Sequence, residues 1–352
     1  MHIQAVIKGI QYDPFSGKEL NEYGIEDLEE AFQTDASFLL RFSDSTQLAV
    51  SYWVSPKRTR SYPFARVYDT YGFQGKKITV IPVYKDEGFD GDRDFLQWDT
   101  VSLMSLLGVY VILGFYVHAE KSPDYAHKIT HQRFDMDFIR EQLKNVLAYR
   151  SDALHWNLAQ TENLADIGRR ACEAYRSISE KTGVRMHSFE SVERRISVFL
   201  SGRDSFISFS RRLAQEAQER EFRTSQPKEN LQGKKAKITI RNYLGGAYYF
   251  TCDEVKVLDN RLLLIEGKHS QGEHLPSLSD IKDGLLKMIL YTNLEEVYLE
   301  GVQYLPQPVL KLTTGQPLRH TPQTAQTLND LLREAQANGF WVMLNETLLT
   351  ER

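Results

Sequence analysis

The stretch that most constrains this 352-residue chain is residues 248–270, YYFTCDEVKVLDNRLLLIEGKHS. Val255 and Val257 alternate with polar neighbours, Asp259-Asn260 supplies a tight turn, and Leu262, Leu263, Leu264 and Ile265 form a continuous apolar run. That pattern predicts a β-hairpin whose second strand is buried. Side chains two apart on a strand share a face, so Asp253 lies with Val255 and Val257, and Glu266 lies with Lys268. Two acids and a lysine at the mouth of a buried hairpin are costly unless something satisfies them. A divalent cation on Asp253 and Glu266, with Lys268 beside it, would do so. An ion pair at a strand end is the alternative.

The length predicts two or three domains, and 41% hydrophobic with 26% charged residues describes an ordinary globular chain. The net charge of -4 hides an asymmetry. Residues 121–252 carry 23 Lys+Arg against 16 Asp+Glu, whereas residues 253–352 carry 9 against 14. A basic middle beside an acidic end suits a polyanion bound next to cations; solvated helices with outward arginines would give the same numbers. The two cysteines, Cys172 and Cys252, are far apart and lack metal-ligand spacing, which speaks for a reducing cytoplasm and against disulfides or zinc. The N-terminal residues lack the pattern of a secretion signal. The apolar run at 101–117 is broken by glycine and reads as a buried helix and strand rather than a membrane span. A cytoplasmic protein with no membrane partner is expected.

Residues 1–130 read as an α/β module, with strands near 38–42, 48–54, 65–71 and 77–84 and a helix near 26–32. Its loop SPKRTRSYPFAR interleaves Lys57, Arg58, Arg60 and Arg66 with Tyr62 and Phe64. Cations attract phosphate and aromatic faces stack on bases; a plain basic surface loop is the other reading. The acid-rich loop that follows lacks the later ligands of a calcium loop and reads as a solvated turn. Residues 131–203 read as a helical region rich in arginine pairs. Residues 204–352 read as helix, three strands, helix, strand, helix, strand, with Ser279 as the N-cap of the middle helix.

Asp253, followed thirteen residues later by Glu266-Gly267-Lys268 on adjacent strands ahead of a helix, resembles the PD-(D/E)xK nuclease superfamily, and type II restriction endonucleases in particular, over residues 205–346. Cys252 stands where that motif has proline. The resemblance implies an α/β chain with a C-terminal restriction-endonuclease-like core, αβββαβ around a mixed central sheet, preceded by the α/β module and the helical region. It implies a Mg2+-dependent endodeoxyribonuclease, in which Mn2+ substitutes for Mg2+. Asp253, Glu266 and the Gly267 carbonyl would hold the metal, and Lys268 would position the attacking water. Glu219 or Glu221 from the preceding helix, and Glu254, would stand behind them. Lys57, Arg58, Arg60, Lys234, Lys235, Lys237 and Arg241 are the expected DNA contacts. Double-stranded DNA, a second copy of the chain and a cognate DNA methyltransferase are the expected partners. Repair or modification-dependent cleavage remains open, as does a non-catalytic nucleic-acid-binding protein on the same fold.

Overall fold

The computed structural model describes residues 1–57, 63–200, 203–223, 234–242 and 246–349. The chain divides into two compact units. One comprises Met1–Glu19, Val67–Gly72 and Leu213–Arg352, the other Leu20–Arg66 and Phe73–Arg212. No described helix is long and apolar enough to cross a membrane.

The first strand, β1 (His2–Ile7), alternates cleanly, with Ile3, Ala5 and Ile7 buried. The chain then runs through β2 (Glu22–Gly24), α1 (Leu28–Thr34), β3 (Ser37–Ser43), β4 (Thr46–Tyr52), α2 (Pro63–Tyr71) and β5 (Lys77–Pro82). A small hairpin of β6 (Tyr84–Asp86) and β7 (Arg93–Phe95) leads into α3 (Trp98–Leu106), β8 (Val109–Gly114), β9 (Tyr116–Lys121) and β10 (Ile129–Phe134). Strands β2-β3-β4-β5-β8 form one sheet in that order, with β4, β5 and β8 parallel. The runs in β5 and β8 are almost wholly buried, as in strands covered on both faces. Helices α4 (Met136–Ala148), α5 (Ala153–Glu162), α6 (Leu164–Thr182), α7 (Phe189–Leu200) and α8 (Arg203–Arg223) follow. The strand expected near 65–71 is helix α2. Pro63 opens it, where a missing N–H is harmless, and Phe64, Val67 and Tyr68 are buried at helical spacing.

In the other unit β11 (Lys234–Asn242), β12 (Ala247–Leu258) and β13 (Arg261–Ser270) form an antiparallel meander. Helix α9 (Leu278–Tyr291) is buried along most of its length and packs on β13 and on β15 (Val302–Thr314), which follows β14 (Leu294–Leu299). Gly284 permits that approach: a Cβ there would stand 2.8 Å from Leu310 Cδ1. The N-cap of α9 is Ser277, accepting from the Asp280 N–H, and not the expected Ser279. Helix α10 (Pro322–Asn338) ends on Gly339 at φ 74, and β16 (Trp341–Leu344) and β17 (Thr347–Leu349) extend the sheet beyond β15.

The sheet is not the open, twisted one that the nuclease resemblance implies. Strand β1 enters between β11, to which it is parallel, and β14, to which it is antiparallel. Strand β15 pairs with β14 through Val302–Tyr304 and, over 305–314, runs parallel to β13. The circuit β13-β12-β11-β1-β14-β15 therefore closes on itself as a six-stranded barrel. An αβββαβ restriction-endonuclease-like core does not describe this topology. The reason lies in two long-range pairings, those of β1 with β11 and of β15 with β13, which the local element order cannot encode.

Candidate functional site

The hairpin acids sit beside a bulge. Lys234 pairs with Val255 and Ala236 with Cys252, so three steps on β12 match two on β11. The extra residue falls at Asp253-Glu254, and the two carboxylates meet different partners. Asp253 Oδ2 accepts the Gly267 N–H at 2.9 Å. Glu266, only 2% exposed, has Lys268 Nζ 3.2 Å from Oε1 and Lys287 Nζ 2.8 Å from Oε2. Lys268 also donates to Asp283 Oδ2 at 2.8 Å. Burial alone would raise the Glu266 carboxyl, but the Lys287 and Lys268 ammonium groups outweigh it and hold it below the usual range. Burial likewise opposes the charge on Lys268, and Glu266 and Asp283 override it to raise its pKa. Beneath lie the buried Cys252 thiol and the Tyr291 ring, whose pKa values burial pushes up.

This cluster answers the cost of burying hairpin acids with internal cations. Asp253, Glu266 and the Gly267 carbonyl are the groups that would hold Mg2+. Here ammonium groups stand against both Glu266 oxygens, so that carboxylate's charge is met from within the chain. Lys287, one turn beyond Asp283 on α9, contacts the central acid directly. The available signal was its place, with Asp283, beside the apolar stripe of α9.

Glu254 leaves the bulge in another direction and is fully buried. Lys256 Nζ lies 2.7 Å from its Oε1 and Lys311 Nζ 3.8 Å from its Oε2, ion pairs without hydrogen-bond geometry. Lys311, also fully buried, donates to Glu346 at 2.8 Å. Glu254 thus belongs to a separate ionic network. Glu219, on α8, pairs with Lys237; the Glu221 side chain lies outside the described residues. Lys57 is the counter-ion of the buried Asp94, which also accepts from Ser55 Oγ at 2.6 Å. Arg58 and Arg60 lie outside the described residues.

The β11 cations do come together on one surface. Lys235, Lys237, Thr239 and Arg241 alternate onto the outer barrel face, while Lys234 is exposed at the strand's start. The registers set Lys237 beside His2 and Thr251, Thr239 beside Gln4 and Tyr249, and Gln4 beside Tyr298. Helix α8 borders this face. Gln218 donates to the Ile238 and Phe250 carbonyls at 3.1 and 2.7 Å, and Gln215 donates to the Tyr249 hydroxyl at 3.2 Å. A groove of about 260 Å³ remains, lined by His2, Gln4, Arg241, Tyr249, Tyr298 and Glu296. His2 shares a 2.9 Å hydrogen bond with Thr239 Oγ1. Its pKa is lowered by burial first, then by the charges of Lys237, the terminal amine and Arg241, which outweigh Glu219.

The assignment of a metal-dependent endodeoxyribonuclease, whether for restriction or for repair, rested on the αβββαβ order and falls with it. So does a binding protein on a nuclease-like fold. Comparison of the chain with family models, with curated proteins and with solved structures finds no match.

Proposed function

We propose that this chain is a DNA-binding protein whose outer barrel face receives the nucleic acid. The observation that supports this reading is the cross-strand register of β11, β12, β1 and β14, which sets Lys235, Lys237, Arg241 and His2 among Tyr249 and Tyr298 on one surface. Ammonium and guanidinium groups attract the phosphates and release their counterions. Tyrosine rings offer flat faces to a base or sugar, and the amide of Gln4 hydrogen-bonds without demanding one sequence. Glu219 and Glu296 limit the charge, so affinity comes from the few cations and the two rings together.

Fluorescence anisotropy with a labelled duplex and its separate single strands tests the reading. Arg241→Ala and Tyr249→Ala are each expected to weaken binding by about 1–3 kcal/mol, roughly 5- to 150-fold. Arg241→Ala should also flatten the dependence of affinity on salt by about one phosphate contact. Absence of salt-dependent binding to either form of DNA, or binding indifferent to both substitutions, overturns it.

The same surface sets a pH dependence. In free protein His2 titrates below its usual value near 6.5 because burial and the Lys237 and Arg241 charges disfavour its protonated form. A bound phosphate reverses the sign of that field and raises its pKa. Protonation is then coupled to binding, so affinity rises as pH falls towards the lowered pKa of the free protein. His2→Asn should remove the rise and leave the weaker, high-pH affinity. Equal slopes for the two proteins would assign the proton uptake elsewhere.

A further inference from the structure

The unit formed by Leu20–Arg66 and Phe73–Arg212 carries a cleft that the DNA-binding reading does not use. It measures about 550 Å³, within the range of small-molecule sites. In open sheets with parallel strands, ligands settle beyond the carboxyl ends of those strands. This cleft lies there. Tyr52 ends β4, Val54 follows it, and Tyr116 comes two residues after β8, which runs parallel to β5 and through it to β4.

Four rings line the cleft: Phe32, Tyr52, Tyr116 and Phe134. They are locked against one another, with Phe32 stacked on Tyr52 at 4.9 Å and Tyr116 on Phe134 at 4.4 Å. The Tyr52 hydroxyl donates to the Phe32 carbonyl and the Tyr116 hydroxyl to the Val54 carbonyl, both at 2.9 Å. Those tyrosines thus spend their polar ends on the backbone; Tyr116 and Phe134 are buried behind, and the half-buried Phe32 and Tyr52 supply the carbon that faces the cleft. A preformed aromatic wall with its hydroxyls turned away suits a flat ring, not a polar chain.

The mouth has a different chemistry. His118 and Arg133 are cross-strand partners on β9 and β10, both exposed, and both line the cleft. Arg133 Nη2 is 3.8 Å from Glu120 Oε1, too long for a hydrogen bond. Glu29 and Asp137, also lining residues, are exposed acceptors. A guanidinium and an imidazole at the mouth, an aromatic wall behind them and carboxylates that can accept from an exocyclic amine describe one ligand class.

We infer that this cleft binds a nucleotide whose base carries an amino group. The base lies against the aromatic wall, its amine is held by Glu29 or Asp137, and its phosphate is held by Arg133 and His118. The nucleotide can be free or part of a nucleic acid strand.

Isothermal titration calorimetry on the full chain tests this with adenosine 5′-monophosphate, adenosine, ribose 5-phosphate and a short single strand. The monophosphate is expected to bind about tenfold or more tightly than adenosine, the worth of one or two charge-assisted contacts, and ribose 5-phosphate not to bind. The His118→Ala/Arg133→Ala double variant should bring the monophosphate down to the affinity of adenosine. Gln33→Trp alters an exposed lining residue, so it fills the cleft without touching the core, and should abolish binding of both. Binding of the free monophosphate identifies a free nucleotide. Binding of the strand alone, lost in Gln33→Trp, identifies a nucleotide within a chain. Failure of both to bind overturns the inference, as does binding that survives Gln33→Trp. A monophosphate no tighter than adenosine removes the phosphate from it and overturns the nucleotide assignment.

Discussion

Glu266→Ala is expected to lose about 3–5 kcal/mol of folding stability, the usual result of breaking a buried ion pair from one side. Glu266 is 2% exposed, and its two oxygens separate the Lys268 and Lys287 ammonium groups. Alanine leaves Lys287, 12% exposed, without this carboxylate. Lys268 retains Asp283 at 2.8 Å, so the damage concentrates on Lys287. Asp283→Ala removes a more exposed acid from a lysine that keeps Glu266 and should cost about 1 kcal/mol. The pH dependence follows from the lowered carboxyl. A folded pKa below the unfolded one gives stability that is complete above the unfolded value of about 4.5 and lost as pH falls through the folded value. Urea denaturation of the parent should therefore weaken below that point, and Glu266→Gln should flatten the loss. An alanine variant within about 1 kcal/mol of the parent would show that the cluster contributes little.

The hairpin was legible because its alternation and its apolar run are local properties: β12 and β13 fall where Val255, Val257 and Leu262 to Ile265 place them. Barrel closure was not legible. Strand β15 carries Pro306 and Pro308, which read as interruptions of a strand. In the structure the Leu305 N–H donates to the Asn260 carbonyl, so the N–H groups of alternate residues face β13. The prolines fall between them, on the side where pairing with β16 begins only at Val309. Their missing donors thus need no partner, and the strand continues through them. Strand β1 has a plain alternating pattern, yet nothing local says that Ile3 should pair with Ile238. The acids were legible as a cluster, but their partners were not. Lys287 and Lys311 are charged residues in segments that pattern reading assigns to helix and loop, and only the tertiary fold brings them to Glu266 and Glu254. The β11 cations were legible as basic residues; the tyrosines beside them depend on cross-strand register.

Glu334→Ala is expected to destabilise the unit built on Met1–Glu19 and Leu213–Arg352 by about 4 kcal/mol, while Glu334→Gln costs about 1 kcal/mol. Glu334, on α10, is fully buried and accepts five hydrogen bonds. Its Oε1 takes the Tyr12 and Tyr68 hydroxyls at 2.7 and 2.5 Å. Its Oε2 takes the Phe15 and Ser16 N–H groups at 3.1 and 3.0 Å and the Ser16 hydroxyl at 2.8 Å. Burial first, and then the Glu334 charge, push both tyrosines up, so their hydroxyls stay protonated and donate. Alanine leaves the buried Tyr68 hydroxyl and the part-buried Tyr12, Phe15 and Ser16 donors without this acceptor, and each fully buried loss costs about 1–3 kcal/mol before relaxation. Glutamine can place its carbonyl oxygen where the two backbone N–H groups need one. Its amide then points at the tyrosine hydroxyls, which accept as readily as they donate. The difference between the two substitutions is the informative quantity, because both remove the charge and only alanine removes the acceptor. Asn338, one turn on, braces the same segment by accepting the Asp13 N–H and donating to the Asp13 carbonyl, both at 2.8 Å. That segment continues directly from β1, which carries His2 and Gln4 into the groove. Loss of Glu334 should therefore loosen the β1–β11 pairing first, seen as faster amide exchange at Ile3 and Ala5 than at Leu262 and Leu264. Equal urea midpoints for the alanine and glutamine variants would mean that charge, not hydrogen bonding, is what Glu334 contributes.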